Sequence, residues 1–231
     1  MISSLTSTQA SNESISDELL AVLMKSLLVH GASWGEMYQT LERILGSESS
    51  RIKDRVIPRL IGYGPVDVAR IMECTAQRVT LFGCNYLNKD QAHLYTIPLP
   101  PSLESKKVWR RLTITLGWIS PINANSQKYR QAHLWFDPPR TQLKIDRFEA
   151  DATSVKRGTI QHEILVGDQA APFIDGNELE IKVNCRQDAG GLALAVPYGL
   201  VVSLEVADGV DIQVYDEVKS RIRPTITIQP S

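Results

Sequence analysis

The stretch Arg111-Leu112-Thr113-Ile114-Thr115-Leu116-Gly117-Trp118 decides the fold of this chain. Leu, Ile, Leu and Trp alternate with Thr, Thr and Gly, the period-two pattern of a strand with one apolar face. Upstream, Arg78-Val79-Thr80-Leu81-Phe82 and Ala92-His93-Leu94-Tyr95-Thr96-Ile97 repeat the pattern. Downstream it returns in Gln131–Phe136, Thr159–Val166, Glu178–Val183 and Tyr198–Val206. Seven or eight half-buried strands, punctuated by Pro- and Gly-rich turns, predict a mainly β fold: an antiparallel, jelly-roll-like β-sandwich over residues 77–231. That length is enough to bury a core of its own.

The residues before it read differently. Residues 1–16 form a Ser/Thr-rich lead-in expected to be disordered. Ser16 can cap a helix, Asp17 and Glu18 suit its positive end, and Leu19, Leu20, Leu23, Leu27 and Leu28 recur at helical spacing up to Gly31. Ser33-Trp34-Gly35-Glu36 has capping-box spacing and predicts a second helix running to Gly46. A serine-rich loop (47–50), a short apolar stretch (56–61) and the turn Gly62-Tyr63-Gly64-Pro65 lead into a third helix, with Pro65 in its first turn. Residues 17–76 are thus a helical segment whose first helix, 17–30, carries more aliphatic surface than solvent tolerates.

The 231 residues are 43% hydrophobic and 22% charged, ordinary for a globular chain. With 25 basic and 26 acidic residues the formal charge is −1, which gives no footprint for nucleic acid and no attraction to an anionic membrane. No apolar run approaches the ~18 residues a membrane helix needs. The N-terminal residues lack a basic and an apolar signal region. Cys74, Cys84 and Cys185 are odd in number and widely spaced, which suggests reduced thiols and a cytoplasmic location.

Two phrases carry a family resemblance. Leu27-Leu28-Val29-His30-Gly31-Ala32, followed after a spacer by Gly62-Tyr63-Gly64-Pro65-Val66-Asp67, resembles the C-terminal end of a subtilisin-like (S8) serine protease domain. The segments Ile97–Leu103 and Leu112–Pro121 are similar to the β-sandwich that follows the protease domain in large bacterial subtilases. The resemblance implies that 17–76 is a helical remnant of an α/β protease domain and 77–231 its accessory sandwich. It covers nearly the whole chain after residue 16. The family's catalytic phrases are missing: there is no Asp-Ser/Thr-Gly and no Gly-Thr-Ser, and the sole Gly-Thr, Gly158-Thr159, is followed by Ile160. His30-Gly31 continues Ala32-Ser33, not Thr, and sits in the phrase that belongs after the nucleophile.

Other candidate chemistry is sparse. His93 and His133 alternate with apolar neighbours and read as solvent-facing or rim strand histidines, with no paired Cys/His spacing for a metal. His162 and Glu163, with Asp168 or Asp175, could form an acid/base pair only on paper, because alternation sends neighbouring strand residues to opposite faces. Arg186 beside Cys185 could lower a thiol pKa, though a packed small hydrophobe is the plainer reading. Asp137, Asp146, Glu149, Asp151, Asp168, Asp175 and Asp188 make loop calcium conceivable, without an Asp-x-Asp-x-Asp-Gly pattern. Trp118 and Phe136 fit core positions, whereas Trp109 and Trp135 could belong to a sugar- or peptide-binding face. Two long loops, 120–130 and 137–157, could serve recognition or simply connect.

No catalytic, cofactor-binding or metal residue is therefore assigned. The expectation is a C-terminal part of a subtilisin-like protease, inactive by itself, whose sandwich serves stability, substrate presentation or partner docking. Its partners would be the missing protease portion, another protein chain, or a second copy through helix 17–30. The alternative is a stand-alone β-sandwich module that binds a peptide, sugar or protein.

Overall fold

A computed structural model of the chain describes residues 3–4, 15–150, 156–171, 178–222 and 226–230. It is mainly β, with two antiparallel sheets and few helices. The strands are β1 (Ser3–Ser4), β2 (Arg78–Leu87), β3 (Gln91–Pro98), β4 (Arg110–Trp118), β5 (Ala132–Phe136), β6 (Asp146–Ala150), β7 (Ile160–Gly167), β8 (Glu178–Gln187), β9 (Val196–Val206) and β10 (Ile226–Pro230). Five of them form one antiparallel sheet in the order β2-β9-β4-β7-β6, with β1 laid parallel against its β2 edge. The other sheet runs β3-β8-β5, with β10 antiparallel on β3. Four helices precede the main strands: α1 (Asp17–His30), α2 (Gly35–Leu45), α3 (Ser50–Ile61) and α4 (Val68–Met72). Two more follow, α5 (Arg140–Leu143) and α6 (Val214–Arg221).

One hydrophobic cluster takes side chains from both sheets, including Leu112, Ile114, Leu116 and Trp118 of β4, Leu200 and Val202 of β9, and Ile181 and Val183 of β8. The alternation of β4 and β9 is therefore real, but these strands are not half-buried. Their other faces, Thr113-Thr115-Gly117 and Gly199-Val201-Ser203, are also buried, under α1. The helix presses closest where Ser26 meets two glycines that face each other across the β4–β9 ladder, Gly117 and Gly199. A Cβ on Gly117 would lie 2.5 Å from Ser26 Oγ, and one on Gly199 would lie 2.9 Å from the Val22 carbonyl. Ser26 Oγ shares its one proton between the carbonyls of Val22 (2.8 Å) and Gly199 (2.9 Å). Lys25 Nζ donates to the Trp118 carbonyl at 2.9 Å and contacts Thr159 Oγ1 at 2.6 Å.

Val22 and Leu23 of α1 are buried against this sheet, while Leu20, Met24 and Leu28 stand about half exposed on the opposite face. Ser16 caps the helix as expected, through the Leu19 N–H. Gly31 ends it in a right-handed conformation, so its role is close approach: a Cβ there would sit 2.6 Å from Ile71.

Three helical expectations are corrected. No capping box forms at Ser33: α2 begins at Gly35, and the Glu149 carboxylate of β6 takes the Trp34 N–H at 2.8 Å. Residues 50–61, read as a serine-rich loop end and an apolar stretch, form α3 despite Pro58. Finally, Asp67 and not Pro65 starts the next helix, its carboxylate accepting from the Ala69 and Arg70 amides. Among the described residues no helix is long and apolar enough to cross a membrane.

Candidate functional site

The polar residues that α1 buries on the sheet form one connected seam. His30, at the end of α1, brings Nε2 to 2.6 Å from Ser203 Oγ of β9 and Nδ1 to 2.9 Å from Thr115 Oγ1 of β4. Ser203 Oγ is 2.8 Å from Thr80 Oγ1 of β2, and Thr115 Oγ1 is 2.8 Å from His162 Nδ1 of β7. Five side chains from α1 and four strands thus form a single chain, Thr80–Ser203–His30–Thr115–His162. If it is read from Thr80, each hydroxyl donates to the next group and His30 donates from Nδ1 to Thr115. His162 then accepts at Nδ1 and carries its proton on Nε2. That Nε2 is buried and turned from solvent, while Tyr63 stands edge-on to the ring at 5.8 Å.

Burial holds His30 well below the usual histidine range, and His162 and Arg111 add to the shift. His162 is pushed down to about 3, first by burial and then by Arg111, against the pull of the Ala32 backbone. Both rings are therefore neutral at physiological pH.

The Ser203–His30 distance is that of a nucleophile and its base, but the rest of the constellation is wrong. His30 Nδ1 meets a threonine hydroxyl and not a carboxylate, Ser203 is tied to Thr80, and both are almost fully buried. The arrangement is suited to holding a helix on a sheet, not to attacking a substrate. Sequence reasoning missed Ser203 and Thr115 because each reads as a strand's solvent side.

Around the seam, the two phrases singled out in the sequence interlock. Asp67 N–H donates to the Gly31 carbonyl at 2.9 Å, Ser33 N–H donates to the Pro65 carbonyl at 3.3 Å, and Ala32 bridges Val66. Gly64 has a φ of +86° and a Cβ there would overlap the Ser33 carbonyl, so only glycine fits. The Gly62 carbonyl accepts Trp34 Nε1–H at 2.9 Å. Arg70 pairs with Glu205 of β9 and ties α4 to the same sheet.

The remaining candidates lie elsewhere. His93 and His133 are buried, not on a rim: His93 Nδ1 is 2.6 Å from the Tyr198 hydroxyl. His133 stacks on Trp135 and is pushed down to about 4, first by burial and then by Arg130 and Arg186. His162 and Glu163 do face opposite ways. Glu163 accepts a two-pronged contact from Arg147, and Gln161 Nε2 donates to it at 2.7 Å. Gln161 also clasps the backbone of Phe136 across the sheets, accepting at 3.0 Å and donating at 2.9 Å. Arg186 does not activate Cys185: burial pushes that thiol up to about 12, and Asp90 adds to it. Cys74 and Cys84 are free thiols, as is Cys185.

Asp188 is held by Arg130, whose guanidinium also sits over Trp118 and anchors the end of the 120–130 loop. Asp151 and Asp175 lie outside the described residues. Among the described residues, no group of three or more His, Cys, Asp or Glu is placed to hold a metal. Trp118 and Phe136 are core residues, Arg186 covers the Trp135 ring, and Trp109 is 39% exposed. Compared with known proteins, the chain matches no family model, no curated protein and no solved structure.

Proposed function

We propose that the chain is a non-catalytic C-terminal part of a subtilisin-like serine protease, a β-sandwich with a helical cap. One observation carries this reading: the Leu-Leu-Val-His-Gly-Ala and Gly-Tyr-Gly-Pro phrases, thirty-odd residues apart, close on each other residue by residue. Gly31 admits Ile71, Ala32 bridges Val66, Gly64 admits Ser33, and Tyr63 meets His162. Their mutual packing supports reading the two phrases as one unit. The outward stripe Leu20-Met24-Leu28 is where the protease portion or a second copy would dock.

Reading the coding sequence upstream of the Met1 codon in all three forward frames tests this. A Gly-Thr-Ser-x-Ala phrase, preceded by the Asp and His motifs, is expected in frame or one frameshift away. Finding none overturns the reading. The purified chain should also fail to hydrolyse casein; hydrolysis abolished by Ser203→Ala would overturn its non-catalytic character.

A second reading is a self-contained binding module. It is favoured by α1, which already buries Val22, Leu23, Ser26 and His30 on the chain's own sheet.

A further inference from the structure

A cleft of about 670 Å³ lies where β4 begins, β7 ends and β6 begins. Trp109, Arg140, Lys144, Asp146, Asp168 and Gln169 line it. Its walls come from three chain segments, and one buried guanidinium ties them together. Arg110, fully buried, donates from Nε to the Leu143 carbonyl at 2.6 Å and from Nη1 to the Val108 carbonyl at 3.2 Å. Its Nη2 donates to the Gln169 carbonyl. Lys144 adopts a left-handed φ of 50°, and its carbonyl occupies the space a Cβ on Gly167 would need. The Trp109 carbonyl is fixed by the Ala207 N–H at 3.2 Å. The cleft is thus preformed, and Trp109 in its lining is 39% exposed.

Two cations, Arg140 and Lys144, and two carboxylates, Asp146 and Asp168, line the cleft. These groups balance, and the further cation, Arg110, is buried and taken up by backbone carbonyls, so there is no concentrated field for a phosphate, a polyanion or a metal ion. The lining does supply donors and acceptors in equal measure, beside an aromatic face. A sugar hydroxyl both donates and accepts, and a pyranose ring offers an apolar C–H face to an indole. A peptide added as a strand fits less well. β6, the sheet's edge, breaks register between Arg147 and Glu149, which interrupts the ladder a peptide would extend.

We propose that this cleft binds a neutral saccharide, with one ring stacked on Trp109 and its hydroxyls held by Arg140, Lys144, Asp146 and Asp168. The site does not depend on the protease reading.

The full chain is titrated by calorimetry with cellohexaose, maltohexaose, chitohexaose and mannohexaose, beside Trp109→Ala, Trp109→Phe and Asp168→Asn. At least one sugar should bind saturably. Trp109→Ala should weaken it about tenfold and Trp109→Phe should restore most of that loss. Asp168→Asn, at an exposed position, gives a second reading should Trp109→Ala fail to fold, and should weaken binding several-fold. No binding by any of the four, or affinity indifferent to both Trp109→Ala and Asp168→Asn, overturns the proposal. Saturable binding of casein peptides in place of sugars, lost in Trp109→Ala, would also overturn it and assign the cleft to peptides.

Discussion

Thr115 is the residue on which the helix–sheet seam turns, because one hydroxyl serves a ring nitrogen of His30 and one of His162. Thr115→Val keeps the shape but strands both rings. Leaving buried polar groups unpaired costs about 1–3 kcal/mol each, so chemical unfolding should show a loss of roughly 2–4 kcal/mol. An unchanged midpoint would mean that the seam contributes nothing. The same rings make the fold sensitive to acid. His30, His133 and His162 are all held below the ordinary range in the folded chain, His133 at about 4 and His162 at about 3. The unfolded chain takes up these protons near pH 6.5, the folded chain only well below, so the stabilisation is complete above about 6.5 and fades as pH falls toward 4. Each such histidine removes up to about 1.4 kcal/mol per pH unit in that window. Melting temperatures at pH 7.5 and pH 5 should therefore differ clearly, and His162→Gln should flatten the profile. A profile that His162→Gln leaves untouched would remove this ring from the account.

At the scale of elements, the contact of α1 with the β4–β9 pair depends on two absent side chains. Gly199→Ala would push its methyl against the Val22 carbonyl and the Leu23 backbone, neither of which is a flexible tip. We expect a loss of about 1–3 kcal/mol and faster amide exchange in α1, with the opposite sheet unaffected. Gly64→Ala combines a positive φ with a backbone clash against Ser33 and should cost more than about 3 kcal/mol. The main strands were legible because their apolar residues keep period two. Whether a strand's second face meets water or a helix leaves no mark in that period, so Thr113, Thr115 and Ser203 read as solvent side although α1 covers them. Helix α3 hid behind Pro58 and a polar beginning. Strand β6 hid among charges, because the partners that neutralise Arg147 and employ Glu149 are Glu163 and the Trp34 amide, remote in sequence. The interlock of the two phrases was not legible, since no local pattern pairs Gly31 with Ile71.

Across the whole molecule, α1 covers β2, β9 and β4, and the Arg70–Glu205 pair adds α4 to the same attachment. Removing residues 1–76 should therefore lower the melting temperature of the remaining strands and expose apolar surface to a dye such as ANS. Buried side chains such as Val22 and Leu23 contribute on the order of 2 kcal/mol apiece. A truncated chain that melts as the full one does would make the helices a passenger. The partner strands of α1 lie far along the chain: β4 ends at Trp118, and β9 at Val206 is the last long strand. During synthesis α1 emerges before these strands and meets its complete floor only once β9 has been made and inserted between β2 and β4. Its aliphatic residues must wait while all the strands up to β9 are made. Of the five strands in that sheet β9 is made latest, and it also supplies the largest share of the surface on which α1 rests, so this attachment joins residues far apart in sequence.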